Sequence, residues 1–158
     1  MFTDSKGIKR LKIGLHTHTT RSDGKKTPEE AAKIYAAAGY DAVALTDHWK
    51  YGEAQELCGL KILSGCEYNV GGGDARDAVY HIVGFGMERD PGRTTALRDD
   101  PSMTSAEKAN IIVDAIHAVG GCAVQIGLVV VVKITLEGSG VELEVGDHNG
   151  ELGVGGGA

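Results

Sequence analysis

Residues 41–46 read DAVALT, a continuous apolar strand with no alternation of polar and apolar positions. A strand of that kind is buried on both faces, which is the habit of parallel sheets covered by helices on each side. The stretch before it agrees. Thr27-Pro28-Glu29-Glu30 announces a helix, with Thr27 as N-cap, Pro28 in the first helical position and Glu30 closing a capping box. That helix runs to Gly39, a residue suited to the left-handed position after a helix end. A second capping box, Thr104-Ser105-Ala106-Glu107, starts a helix that runs to Gly120. Strands are expected at residues 11–15, 41–46, 61–64, 79–85, 122–126 (extending toward 132) and 141–145. Residues 51–58 are read as a short helix, 70–77 as a glycine-rich loop and 87–103 as a long polar connection; residues 135–138 stay unassigned. Strands alternating with helices give an α/β fold with a parallel sheet or barrel.

With 158 residues the chain is one domain by length and long enough to bury a core. Its net charge of −6 disfavours a broad nucleic-acid surface, so no stable nucleic-acid partner is expected. A small anionic substrate fits if bound cations set the local charge. The opening MFTDSKGIKR lacks the apolar core of a secretory signal, and no apolar run is long enough for a bilayer. Three cysteines without paired spacing point to a reducing, cytoplasmic setting with buried thiols. The expected organisation is one domain over residues 1–145 followed by a glycine-rich tail at 146–158.

The chemistry concentrates at strand ends, where α/β folds place their sites. Residues 11–23 read LKIGLHTHTTRSD, with His16 and His18 two apart at the end of the first strand. Side chains two apart on a strand share a face, about 7 Å from one another, so both imidazoles can aim at one point. Neutral imidazole is a common metal ligand and carboxylates complete such sites. Asp47-His48 follows the strand at 41–46, Glu67 lies just beyond the strand at 61–64, and His81 sits early on the strand at 79–85. Each has a plainer alternative. Ser22-Asp23-Gly24 and Asp47-His48 also read as turns, Glu67 as a surface carboxylate, and His81 as a core histidine. Their recurrence at corresponding positions of successive strand–helix units argues for convergence. His117 reads as a helix-face residue.

These residues carry a resemblance. His16-Thr17-His18, Ser22-Asp23-Gly24, Thr27-Pro28-Glu29-Glu30, Ala38-Gly39-Tyr40-Asp41, Leu45-Thr46-Asp47-His48, Gly65-Cys66-Glu67 and His81-Ile82-Val83-Gly84 resemble, in order and spacing, the motifs of the PHP (polymerase and histidinol phosphatase) superfamily. The likeness covers residues 10–124 and is greatest to small stand-alone metal-dependent hydrolases. It implies a distorted (β/α)7 barrel with two or three divalent ions (Mn, Fe or Zn) at the C-terminal face of its strands. It implies His16 and His18 on the first metal, Glu67 bridging first and second, His81 on the second, and Asp23 and His48 on the third. Asp47 and Arg21 complete the implied catalytic set, Asp47 by orienting a ligand. Arg21 and Lys25, both in the loop of Asp23, have two open readings, contact with a substrate phosphate or a solvated loop charge.

The resemblance also implies ligands that these residues do not supply. Where the family has an Ala-His-Pro segment this chain reads Gln125-Ile126-Gly127-Leu128, which puts glycine at the place of the histidine. The closing Asp-x-His segment has no counterpart beyond a loose echo in Asp147-His148. The barrel is therefore expected to be incomplete on its C-terminal side. A longer parent protein, completion by a homo-oligomer and a degenerate site all account for this. The function implied is a metal-dependent phosphoesterase acting on a small phosphorylated metabolite or nucleotide. The alternatives are ester or carbamate hydrolysis at the same site, and a non-catalytic, metal-stabilised module.

Overall fold

The computed structural model describes residues 1–72 and 78–126, together with the backbone of residues 135–136, 139–140 and 142–144. The expected tail at 146–158, the extension of the fifth strand to 132, and the positions Gly127, Asp147 and His148 lie outside the described residues.

The chain opens with a small antiparallel pair, β1 (Phe2–Thr3) and β2 (Lys9–Arg10), followed by β3 (Lys12–Gly14). Helix α1 (Pro28–Ala37) starts where the sequence puts it, with the Thr27 side chain accepting from Glu30 N and the Glu30 carboxylate accepting from Thr27 N. Next come β4 (Ala42–Ala44), β5 (Gln55–Leu57), β6 (Leu60–Leu63), β7 (Gly65–Val70) and β8 (Tyr80–Phe85). A short α2 (Thr95–Arg98) interrupts the polar connection. Helix α3 (Ser105–Ala118) carries the second capping box, and β9 (Cys122–Ile126), β10 (Thr135–Leu136), β11 (Ser139–Gly140) and β12 (Glu142–Glu144) follow.

Two sheets hold the core. The first runs β12-β3-β4-β6-β5; β12, β3, β4 and β6 are parallel and β5 is antiparallel. The second, β7-β8-β9, is antiparallel throughout. Helix α1 lays Ala31 and Ala32 on Val43, Leu45, Leu60 and Ile62 of the first sheet. Helix α3 sets Ala109, Ile112 and Ile116 against Cys66, Tyr68, Val70 and Ile82 of the second. Ile112 and Ile116 are fully buried, which stabilises the fold by about 1.5–3 kcal/mol each. A third cluster of Leu15, Ala44, Val83 and Phe85 joins the inner faces of the two sheets.

The α/β class is thus present, with corrections in detail. The sheet is not parallel throughout, and among the described residues the strands form no closed barrel. Glu67 lies in the middle of β7, not in a loop past the third strand. Its segment alternates Cys66, Tyr68 and Val70 toward α3 with Glu67 and Asn69 on the other face, the period of a half-buried strand.

The expected short helix at 51–58 is instead the start of a hairpin. Leu57 pairs with Leu60 across Cys58 and Gly59, whose φ values are +53° and +79°. Two successive positive φ angles define the tight turn that matches strand twist and favours Asn-Gly. A cysteine in the first position hides that pattern. Cys58→Asn is expected to raise stability by about 0.5–1 kcal/mol, since asparagine tolerates the left-handed region better. A thermal melt checks this, with an increase of about 2–4 °C per kcal/mol for a chain of this size; an unchanged or lower midpoint counts against the assignment.

Candidate metal centre

Strand β3 ends by pushing Leu15 into the cluster between the sheets, and His16-Thr17-His18 follows. Thr17 is held on three sides. Its N–H donates to Thr46 Oγ1 (3.1 Å), its carbonyl accepts from Thr46 N (2.8 Å), and its hydroxyl lies 2.6 Å from the Tyr35 hydroxyl of α1. Fixing the middle residue fixes the two histidines on either side, whose Nε2 atoms approach to 2.7 Å.

Glu67 meets them from the second sheet. Its carboxylate is fully buried, with Oε2 2.9 Å from His16 Nε2 and 2.8 Å from His18 Nε2. Oε1 lies 2.6 Å from Nδ1 of His81, which sits on β8 opposite Asn69. His48 follows β4 and pairs through its backbone with Glu67, so the two sheets are in register at the site. The His48 ring lies 4.5 Å from that of His18. Asp23, largely exposed, places Oδ1 3.1 Å from His18 Nδ1 and Oδ2 3.5 Å from His48 Nε2. All six residues expected as ligands therefore meet in one place. They form two overlapping groups, His16–His18–Glu67 and His18–Asp23–His48, with His18 common to both and His81 attached through Glu67.

The electrostatics follow from burial against pairing. Burial pushes the Glu67 carboxyl up, but the hydrogen bonds and charges of His16, His18 and His81 outweigh it and hold the group well below the usual carboxylate range. Burial pushes His18 down, and its hydrogen bond to Glu67 with the nearby carboxylates brings it above its ordinary value. For His48 burial outweighs the nearby carboxylates, and the imidazole is held below its ordinary value. Slight burial raises Asp23, but the neighbouring His18 and His48 bring it below its ordinary value.

The donor set fits a divalent ion. Neutral imidazoles with carboxylates suit Mn, Fe and Zn without choosing among them. Three ligand atoms from His16, His18 and Glu67 already stand 2.7–2.9 Å apart. His48 Nδ1 is buried without a hydrogen-bond partner, 3.8 Å from Glu67 Oε2. A buried polar atom left in that state is the kind an ion accounts for. Cys66, next to Glu67, faces the other way into the core, and burial pushes its thiol up to about 12, so it is no nucleophile near neutral pH.

Asp47 and Arg21 stand apart from the cluster. Asp47 is fully buried, and its carboxylate accepts from Thr19 N (2.7 Å), Thr19 Oγ1 (2.8 Å) and Ser22 Oγ (2.7 Å). Arg21 donates from Nη2 to the Tyr51 carbonyl at 3.0 Å, and Lys50 Nζ donates to the Arg21 carbonyl. Lys25 is exposed, as is His117 on α3. Several contributors carry no motif in the sequence: Thr19, Tyr35, Lys50 and the pair Trp49–Asn69. Trp49 holds φ at +53°, with its N–H on the Glu67 carbonyl (2.8 Å) and Nε1 on Asn69 Oδ1 (2.7 Å). A bulky residue in the left-handed region marks a place where the surroundings over-determine the backbone.

The family model of the PHP domain matches residues 14–118, and the chain belongs to that family. Over 82 residues, 48% of this chain, it is 39% identical to a 3',5'-nucleoside bisphosphate phosphatase from Chromobacterium violaceum; the match spans 28% of that relative's length. A solved structure of an amidohydrolase from Chromobacterium violaceum, with bound sulfate and no metal, is 24% identical. It matches over 73% of this chain and 66% of its own, with a TM-score of 0.48. Among the described residues no helix is long and apolar enough to cross a membrane.

Proposed function

We propose that this chain is a metal-dependent phosphoesterase that hydrolyses a small phosphorylated metabolite or nucleotide. The observation that carries the reading is the buried Glu67 carboxylate, with one oxygen on His16 and His18 and the other on His81. A carboxylate between two histidine groups is the arrangement expected of a ligand shared by two ions. His16, His18 and Glu67 would hold one ion, Glu67 and His81 a second, and Asp23 with His48 a third, with His18 able to join the last group. Bound ions supply an acidified water as nucleophile and a positive clamp for the phosphoryl oxygens. The chain's own contributions are positional. Thr17, tied to Thr46 and Tyr35, holds the two histidines on target. Arg21 and Lys50 put positive charge beside the loop that carries Asp23, where an anionic substrate benefits from it. The name of the 39% identical relative supports a phosphate ester as substrate. Family membership and the apolar cluster between the two sheets support reading them as parts of a distorted (β/α) barrel.

The test is direct. Protein stripped with chelator and reloaded separately with Mn, Fe or Zn is assayed on a nucleoside bisphosphate, a phosphomonoester, a carboxylic ester and a carbamate. The expected result is phosphate release that depends on the added metal, exceeding ester or carbamate cleavage by at least about 10². Faster ester or carbamate turnover selects the alternative hydrolytic reading. Metal binding without turnover of any of the four selects a non-catalytic module.

A further inference from the structure

We propose that Asp47 is a positioning residue: through Thr19 and Ser22 it fixes the loop that presents His18 and Asp23, and so sets how tightly the His18–Asp23–His48 group takes a divalent cation. The proposal rests on the metal-dependent reading above. Its starting point is a fully buried carboxylate, a group that proteins keep only when it is well satisfied. Both oxygens of Asp47 are engaged by one loop, Oδ1 by Thr19 N and Ser22 Oγ, Oδ2 by Thr19 Oγ1.

That loop is a closed ring. Ser22 N and Gly24 N both donate to the Thr19 carbonyl, at 3.0 and 2.9 Å, and Thr20 N donates to the Lys26 carbonyl at 2.8 Å. Thr19, which donates two of the three bonds to Asp47, is therefore the anchor of the ring. Ser22, which donates the third, also reaches the candidate ligand atoms. Its hydroxyl stands 3.5 Å from His18 Nδ1 and 3.3 Å from Asp23 Oδ1. The backbone of Asp47 turns the other way. Its carbonyl accepts from Glu67 N (3.3 Å) and from the Cys66 thiol (3.6 Å). One residue thus joins the loop bearing His18 and Asp23 to the strand bearing Glu67. Removing it frees the loop to drift relative to His48, which is the next residue in the chain. Partners one step behind a metal ligand typically change metal affinity by 10–100-fold when lost.

The experiment titrates Mn²⁺ alone into metal-free protein by calorimetry, and records thermal melts in chelator. The variants are Ser22→Ala, Asp47→Asn and Asp47→Ala. Ser22→Ala is expected to weaken the more weakly bound ion about tenfold, and Asp47→Ala about a hundredfold or to the point of losing it. Asp47→Asn, which keeps the shape and part of the bonding, falls between them. The tighter ion is retained in all three, and the melt of metal-free Ser22→Ala stays close to that of the unaltered protein. Unchanged Mn²⁺ affinities and site count in Ser22→Ala and Asp47→Asn overturn the proposal, even if their melting points fall, because that pattern is a structural role alone. If Asp47→Ala does not fold, Ser22→Ala still decides. An unaltered protein that takes up no Mn²⁺ removes the metal-dependent reading and this proposal with it, before any variant is measured.

Discussion

Glu67→Gln is expected to abolish metal retention and hydrolysis together while the protein stays folded. Glutamine has nearly the same volume, so the centre of β7 keeps its packing against β8 and α3. What changes is the charge and one end of the fork. The carboxylate now accepts from or faces His16, His18 and His81 at 2.6–2.9 Å. An amide turns one of those ends into a donor, and it offers a cation no net negative charge. On the proposed reading Glu67 serves two ions, so its loss weakens two positions at once. Metal content after gel filtration should fall below one equivalent, and kcat/KM on a phosphate ester should drop by at least about 10³, roughly 4 kcal/mol of transition-state stabilisation. A Glu67→Gln protein that keeps its full metal content and rate shows that this cluster is not the metal centre.

Gly24→Ala is expected to cost the next largest loss of activity through a single methyl group. A Cβ at position 24 would stand 2.3 Å from the His18 carbonyl oxygen and 2.6 Å from Thr19 N. Both are backbone atoms of the ring that carries the ligands, and neither can rotate aside as a side-chain tip can. The ring must open, which moves Asp23, the preceding residue, away from His18 and His48. Displacement of a positioned group by about 1 Å can cost 10² in rate, and that is the expected loss in kcat/KM. The melting point should fall by only about 2–4 °C, because the ring adds little to the three apolar clusters. The paired measurement is a thermal melt beside a rate assay. A rate within threefold of the unaltered protein means that the ring adapts and does not hold the ligands.

How far the sequence speaks for this fold depends on the range of the interaction. Both long helices begin at their capping boxes because Thr27–Glu30 and Thr104–Glu107 are bonds within four residues. The buried strand at 41–46 is legible because an unbroken apolar run is itself the imprint of two covered faces. The strand at 41–46 shows its parallel pairing in its own residues, but those of β7 and β8 carry no such imprint, so the second sheet β7-β8-β9 comes as a correction. The hairpin at β5–β6 is hidden by a cysteine in a turn position that normally announces itself with asparagine. The convergence of His16, His18, Asp23, His48, Glu67 and His81 is foreshadowed by their motifs. The bonds from Thr19 and Ser22 to Asp47 join residues more than two dozen positions apart, and no local pattern encodes them.

The six residues of β7 carry two messages on opposite faces. Cys66, Tyr68 and Val70 are core against α3, while Glu67 and Asn69 belong to the site. A slip of one residue along β8 would exchange the two sets, driving a carboxylate among Ile112 and Ile116 and offering the histidines a tyrosine or a thiol. The apolar contacts behind the strand are thus what forbids the wrong residue from facing the histidine cluster. Mutations that loosen that packing should surface first as lost metal affinity, in a protein whose ligands are all intact.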